Sequence, residues 1–89
     1  MALYKGNNKA KENNEFKYEV VQDCGLISTD SKGRETRLRL ISWNDREPKY
    51  DIRTWWEDED GTERCGKGIS LTGEQLEKLH EIIGQLMSE

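Results

Sequence analysis

The stretch from Tyr50 to Leu71 constrains the fold of this chain more than any other. Its first arm reads Tyr50, Asp51, Ile52, Arg53, Thr54, Trp55, Trp56, rich in aromatic and β-branched residues. An acidic run, Glu57 to Asp60, then meets Gly61, and Asp-Gly between two such arms is a strong hairpin signal. The return arm passes through Arg64, Cys65 and Gly66 to Lys67, Gly68, Ile69, Ser70 and Leu71. A β-hairpin is expected. One arm sets two large aromatics beside an arginine and the other carries a lysine–glycine pair. That combination suits a charged polymer with flat faces, as single-stranded nucleic acid is.

The flanking segments extend the hairpin into a sheet and a helix. Phe16 to Ser28 reads as a first strand, with Phe16, Tyr18 and Val20 alternating with Lys17 and Glu19. Gly25 marks a bulge or bend, and Thr29 to Gly33 is a turn cluster. Arg34 to Trp43 is the clearest strand. Leu38 and Leu40 are expected to point at the core, leaving Arg37, Arg39, Ile41 and Trp43 on the other face. Trp43 itself is either an exposed platform or a core or dimer-contact residue. Lys49 to Trp56 and Arg64 to Ser70 complete an antiparallel meander. Thr72 with Gln75 three residues on forms a capping box. Leu76, Leu79, Ile83 and Leu86 then follow helical spacing, with Ile82 and Met87 widening the stripe. The expected fold class is α+β: a curved four-stranded antiparallel sheet, then one C-terminal amphipathic helix.

Eighty-nine residues make one domain, expected over 16–89, after a disordered basic arm over 1–15 that contains Lys5, Lys9 and Lys11. Only 33% of residues are hydrophobic against 36% charged, which is little core material, and a homodimer would help. Net charge is −4, an argument against nucleic acid if charge were evenly spread. It is not. Residues 32–53 hold seven basic against four acidic side chains, while 72–89 hold one against four. Binding answers to the local field rather than the total.

Other chemistry finds little support. His80 is the only histidine, and Cys24 and Cys65 stand far apart, so no metal site is expected, since zinc takes about three or four ligands. The acidic run at 57–60 lacks EF-hand spacing and reads as a solvated hairpin tip. No cofactor motif is present, and Gly66 and Gly68 do not make a phosphate loop, although they allow a close backbone approach. No enzymatic activity is expected. No apolar run approaches the roughly 18–20 residues of a membrane span, and no signal-peptide core follows Met1, so the expectation is a cytoplasmic protein with reduced cysteines.

Asp51-Ile52-Arg53, the pair Trp55-Trp56, the acidic turn ending in Gly61, and Lys67-Gly68-Ile69-Ser70-Leu71 before a capped helix resemble the C-terminal domain of transcriptional positive cofactor four. They resemble most its small bacterial relatives of the YdbC type. The resemblance spans Trp43 to about Leu86. It implies a homodimer whose paired sheets bind single-stranded DNA, with Trp43 and Trp56 stacking on bases. It also implies nucleic-acid contacts from Arg53, Arg64, Lys67 and Gly68. Ile41 stands where the coactivator has an arginine, and Arg37 and Arg39 are expected to supply that charge; Lys49 adds to the same basic region. Parity puts Arg53 and Trp55 on one face and Trp56 on the other, so the choice of Trp56 over Trp55 rests on the resemblance. The open alternatives are a dimeric protein-interaction module of the transcription machinery, or single-stranded RNA binding on the same surface.

Overall fold

The computed structural model describes residues 17–88. The 1–15 arm and Phe16 lie outside the described residues. Four strands, β1 (Tyr18–Thr29), β2 (Glu35–Trp43), β3 (Lys49–Glu57) and β4 (Glu63–Leu71), form one antiparallel sheet in the order β1-β2-β3-β4. A single helix, α1 (Gly73–Met87), follows. The expected fold class is therefore the observed one.

The turns follow their local chemistry. Gly33 and Gly61 sit at φ +85° and +81°, where a side chain is strained. The β3–β4 tip is organised by Asp58, whose Oδ1 accepts from the backbone N–H groups of Asp60 and Thr62 while Oδ2 accepts from Arg64. These bonds, that of the Thr62 N–H first, hold the Asp58 carboxyl below its ordinary range. The tip is thus a built turn as well as an acidic one. At the start of α1 the capping box forms in full: Gln75 N–H donates to Thr72 Oγ1, and Thr72 N–H to Gln75 Oε1.

The position of the core departs from the sequence expectation. The buried cluster is Tyr18, Ile41 and Trp55, with Val20, Trp43 and Cys65 packed against it. It lies on the face of β2 that carries Arg37 and Arg39, and Leu38 and Leu40 on the opposite face are only half-buried. Curvature is the reason. In a flat sheet, β1 and β4 would stand about 14 Å apart, three strand spacings. Here the Tyr18 hydroxyl of β1 donates to Glu63 Oε1 of β4 at 2.7 Å, and the Tyr18 ring lies 5.5 Å from that of Trp55. The sheet has curled onto its charged face.

Bulges in β1 assist that curl. The register against β2 shifts three times, at Val21, Cys24 and Ile27, and a bulge bends its strand and raises its twist. The shifts replace the alternation of two by a spacing of three, so Val20, Asp23, Leu26 and Thr29 stand opposite Ile41, Arg39, Arg37 and Glu35. The bulged Val21, Cys24 and Ile27 are exposed on this edge strand. Leu26 and Ile27, two adjacent apolar residues, therefore serve as ladder partner and bulge.

The helix has little to pack on. Leu76 and Leu79 are half-buried where α1 meets β3 and β4. Ile82, Ile83, Leu86 and Met87 are exposed, Leu86 at 67% and Met87 at 75%. The helix contacts β3 and β4, and Ile69 of β4 is exposed as well.

Replacing Tyr18 by Phe removes the bond that closes the sheet while keeping the ring. The expected loss is about 1 kcal/mol of unfolding free energy, read from the urea midpoint at constant m-value. Trp55→Ala, which empties the centre of the cluster, is expected to cost about 3–5 kcal/mol in the same experiment.

Candidate nucleic-acid interface

Burial sorts the basic residues into two groups. Arg37 and Arg39 are committed inside the curl. Arg39 is 8% exposed, its guanidinium 4.5 Å over the Trp55 ring, with Nε 3.3 Å from Asp23 Oδ2 and Nη1 3.5 Å from Glu63 Oε2. Arg37 donates from Nη1 to Asp23 and from Nε to Glu35 at 2.9 Å. The Glu35 bond outweighs the cost of burial and raises the Arg37 pKa. The sequence reading set these two arginines on an open face in place of the charge missing at Ile41. The structure corrects that: the bulges bring Asp23 opposite Arg39 and within reach of Arg37, and their charge is met by carboxylates of the fold.

The second group is free of such pairing. Arg46, Lys49 and Lys67 are exposed and make no ion pair among the described residues. Arg46 and Lys49 border an open groove with Trp43, Asn44, Glu47, Arg53 and Ser70. Three cations against one carboxylate give that lining a positive balance. Arg46, Asn44 and Ser70 were missed from sequence. The loop after Trp43 offers little beyond its polarity, and only its turn geometry, with Asn44 and Asp45 at φ 52° and 64°, swings it beside β3.

Trp43 and Arg53 form the centre of this groove. The Arg53 guanidinium stands 4.7 Å over the Trp43 ring, and Tyr18 meets the same indole tilted by 42°. Arg53 is half-buried. Desolvation is the largest single influence and opposes its charge, but the hydrogen bonds and charge of Asp51, together with Cys65, outweigh it, and the guanidinium pKa is raised.

Gly68 lies opposite Arg53 in the β3–β4 ladder. A Cβ placed there would collide with Arg53 Cβ and the Ile52 carbonyl oxygen. Its role is thus to admit the arginine stem, a close approach of the kind the sequence allows.

The choice between the paired tryptophans is settled as far as access goes. Trp55 is 3% exposed and belongs to the core, whereas Trp56 is half-buried on the outer face. The Arg34 guanidinium lies 4.4 Å over the Trp56 ring, and Gly66 leaves room beside it. Arg64 stands opposite Trp56 in the ladder and is paired with Asp58 at 2.8 Å. Trp56 and Trp43 do not meet. They lie near opposite ends of the sheet and on opposite faces, so the chain presents two separate aromatic sites. Arg34, the partner of Trp56, went unrecognised because its contact crosses between the β1–β2 turn and the end of β3.

Residues 31–82 match the family described as transcriptional coactivator p15 (PC4). The chain belongs to the PC4 family. An uncharacterised protein of Treponema pallidum (strain Nichols) is 38% identical over 74 residues, covering 83% of this chain and 84% of its own. The PC4 match takes in β2, β3, β4 and most of α1, and it leaves β1 outside. The groove residues Trp43, Lys49, Arg53 and Ser70 thus fall within the PC4 segment. Tyr18, which closes the curl, does not. Among the described residues no cluster of metal-ligating side chains occurs, and no helix is long and apolar enough to cross a membrane.

Gly68→Ala is expected to destabilise the fold by about 1–3 kcal/mol, the usual cost of forcing extra volume into a packed site. Because the collision is with Arg53, the Trp43 fluorescence environment should change in the folded variant. An unfolding curve and an emission spectrum check both.

Proposed function

We propose that this PC4-family protein binds single-stranded DNA with little sequence preference, acts as a homodimer without enzymatic activity, and works in the cytoplasm as a cofactor of transcription. The observation that carries the reading is the Trp43–Arg53 couple in a groove bordered by the unpaired Arg46 and Lys49. An aromatic side chain beside exposed cations fits a strand whose bases are splayed and whose phosphates run alongside. A duplex hides its base faces and offers this groove only phosphates. Trp56, with Lys67 on the neighbouring strand, supplies a second stacking site at the other end of the sheet.

The dimer is supported by what the single chain leaves uncovered. Ile69 on the sheet and Ile82, Ile83, Leu86 and Met87 on α1 are too many exposed apolar side chains for so small a core. A second copy, offering the same apolar surface, buries both sets by two-fold symmetry. Sedimentation should then give twice the chain mass, and Ile83→Glu should shift the protein toward monomer.

A short oligo-dT strand titrated into the protein is expected to quench tryptophan emission, with a weak response to the matching duplex. Affinity should fall with salt at a log–log slope of about −0.7 per phosphate neutralised. Trp43→Ala and Trp56→Ala should each weaken binding by about 1–3 kcal/mol. If both leave affinity unchanged in a folded dimer, stacking is wrong. Equal affinity for oligo-U would make RNA a ligand of the same surface. No binding of either, together with salt-insensitive capture of a protein of the transcription machinery, would favour the interaction-module reading.

A further inference from the structure

Asp51 is a buried charge that the core does not use. Its side chain is 0% exposed, yet it is absent from the apolar cluster and touches neither β1 nor the helix through any hydrogen bond. Its partners are two. Arg53 donates from Nε to Oδ1 at 2.7 Å and from Nη2 to Oδ2 at 2.8 Å, a two-pronged fork. The Ser70 hydroxyl, opposite Asp51 in the β3–β4 ladder, donates to Oδ2 at 3.1 Å. Burying an ion pair costs desolvation, and an apolar pair of similar volume is often no less stable. Stability is therefore a weak reason for this arrangement.

The geometry points to a different one: we propose that Asp51, backed by Ser70, is a positioning residue that holds the Arg53 guanidinium over the Trp43 ring, so that a nucleobase meets the two as one preorganised unit. The fork fixes the plane of the guanidinium as well as its place. The Gly66 carbonyl takes a third N–H, from Nη1 at 3.1 Å, and Gly68 opens the space for the stem. Three of the five guanidinium N–H groups are thereby spent on orientation, and the Cys65 side chain takes a further hydrogen bond, so the group is held from several sides. Left to itself, an arginine beside a groove would sample many rotamers and lose that freedom on binding. Anchored by Asp51, it has lost most of it beforehand.

This inference rests on the single-strand reading of the groove, and charge gives it a discriminating test. Asp51→Asn keeps the shape and removes one negative charge next to the site. Electrostatics alone then predicts tighter binding of a polyanion. Positioning predicts weaker binding, by about tenfold, as a stacking platform loses its fixed geometry. The experiment is a double-mutant cycle with Trp43→Ala, using oligo-dT and tryptophan emission at two salt concentrations. In the Trp43→Ala background the Asp51→Asn change should matter by less than about twofold, because no indole remains to be aligned with the arginine. Affinity equal to or tighter than wild type in Asp51→Asn overturns the proposal, and so does a loss that persists undiminished without Trp43.

Nitrogen-15 NMR adds a readout that needs no DNA. The Arg53 Nε–Hε signal is expected to be slowly exchanging in the wild-type protein and broadened or lost in the variant; an unchanged signal also overturns the proposal. Should Asp51→Asn fail to fold, Ser70→Ala takes its place in the cycle. A loss confined to the background that retains Trp43 supports the proposal, and no loss overturns it. If the wild-type protein itself ignores oligo-dT, the functional reading fails while the NMR result still judges whether Asp51 holds Arg53.

Discussion

The bond from the Tyr18 hydroxyl to Glu63 ties the first strand to the last across two intervening strands. Much else depends on the curl it records. Burial of the phenol together with this bond pushes the Tyr18 pKa far above its ordinary value. The curl lets a four-stranded sheet of so small a chain bury Ile41 and Trp55 without a second layer. It also brings Arg39 against the Trp55 ring with Asp23 and Glu63 on either side. A sheet that encloses its own charged face must pair those charges, and the bulges of β1 deliver the carboxylate that does so.

Pairing divides the arginines into two groups. A guanidinium held by two carboxylates in a curled interior has little field left to offer a distant phosphate. Exposed and unpaired side chains such as Lys49, Arg46 and Lys67 have it in full. Arg53 falls between these cases. It is paired through a fork to Asp51, yet it lines the groove beside Trp43. The negative net charge of the chain is thus compatible with a locally positive site, since much of the acidity lies on the helix and at the hairpin tip.

The PC4 segment and the curl do not coincide. The family match begins after β1, although β1 supplies the tyrosine that closes the sheet and the aspartate that neutralises its interior. Two parts of the chain therefore answer to different demands. The segment from β2 onward carries the groove, and the bulged edge strand shapes it.

Local chemistry determined a good deal by itself. The Asp60-Gly61 turn, the Thr72 and Gln75 capping box, the alternation of the strands and the helical stripe each depend on neighbouring residues, and all four strands and the helix were legible from them. Trp43 and Arg53 could be singled out for the same reason, as unusual side chains on regular strands. Which sheet face becomes the interior was not legible, because Leu38 and Leu40 make the opposite face the more apolar in β2. Only curvature, set by bulges in β1 and a bond between the first and last strands, turned Ile41, Trp55 and the arginines inward. The fate of each tryptophan followed from that: Trp55 in the core, Trp56 outside under Arg34, Trp43 beside Arg53. Such assignments depend on contacts between strands distant in sequence, and a tertiary structure is what decides them.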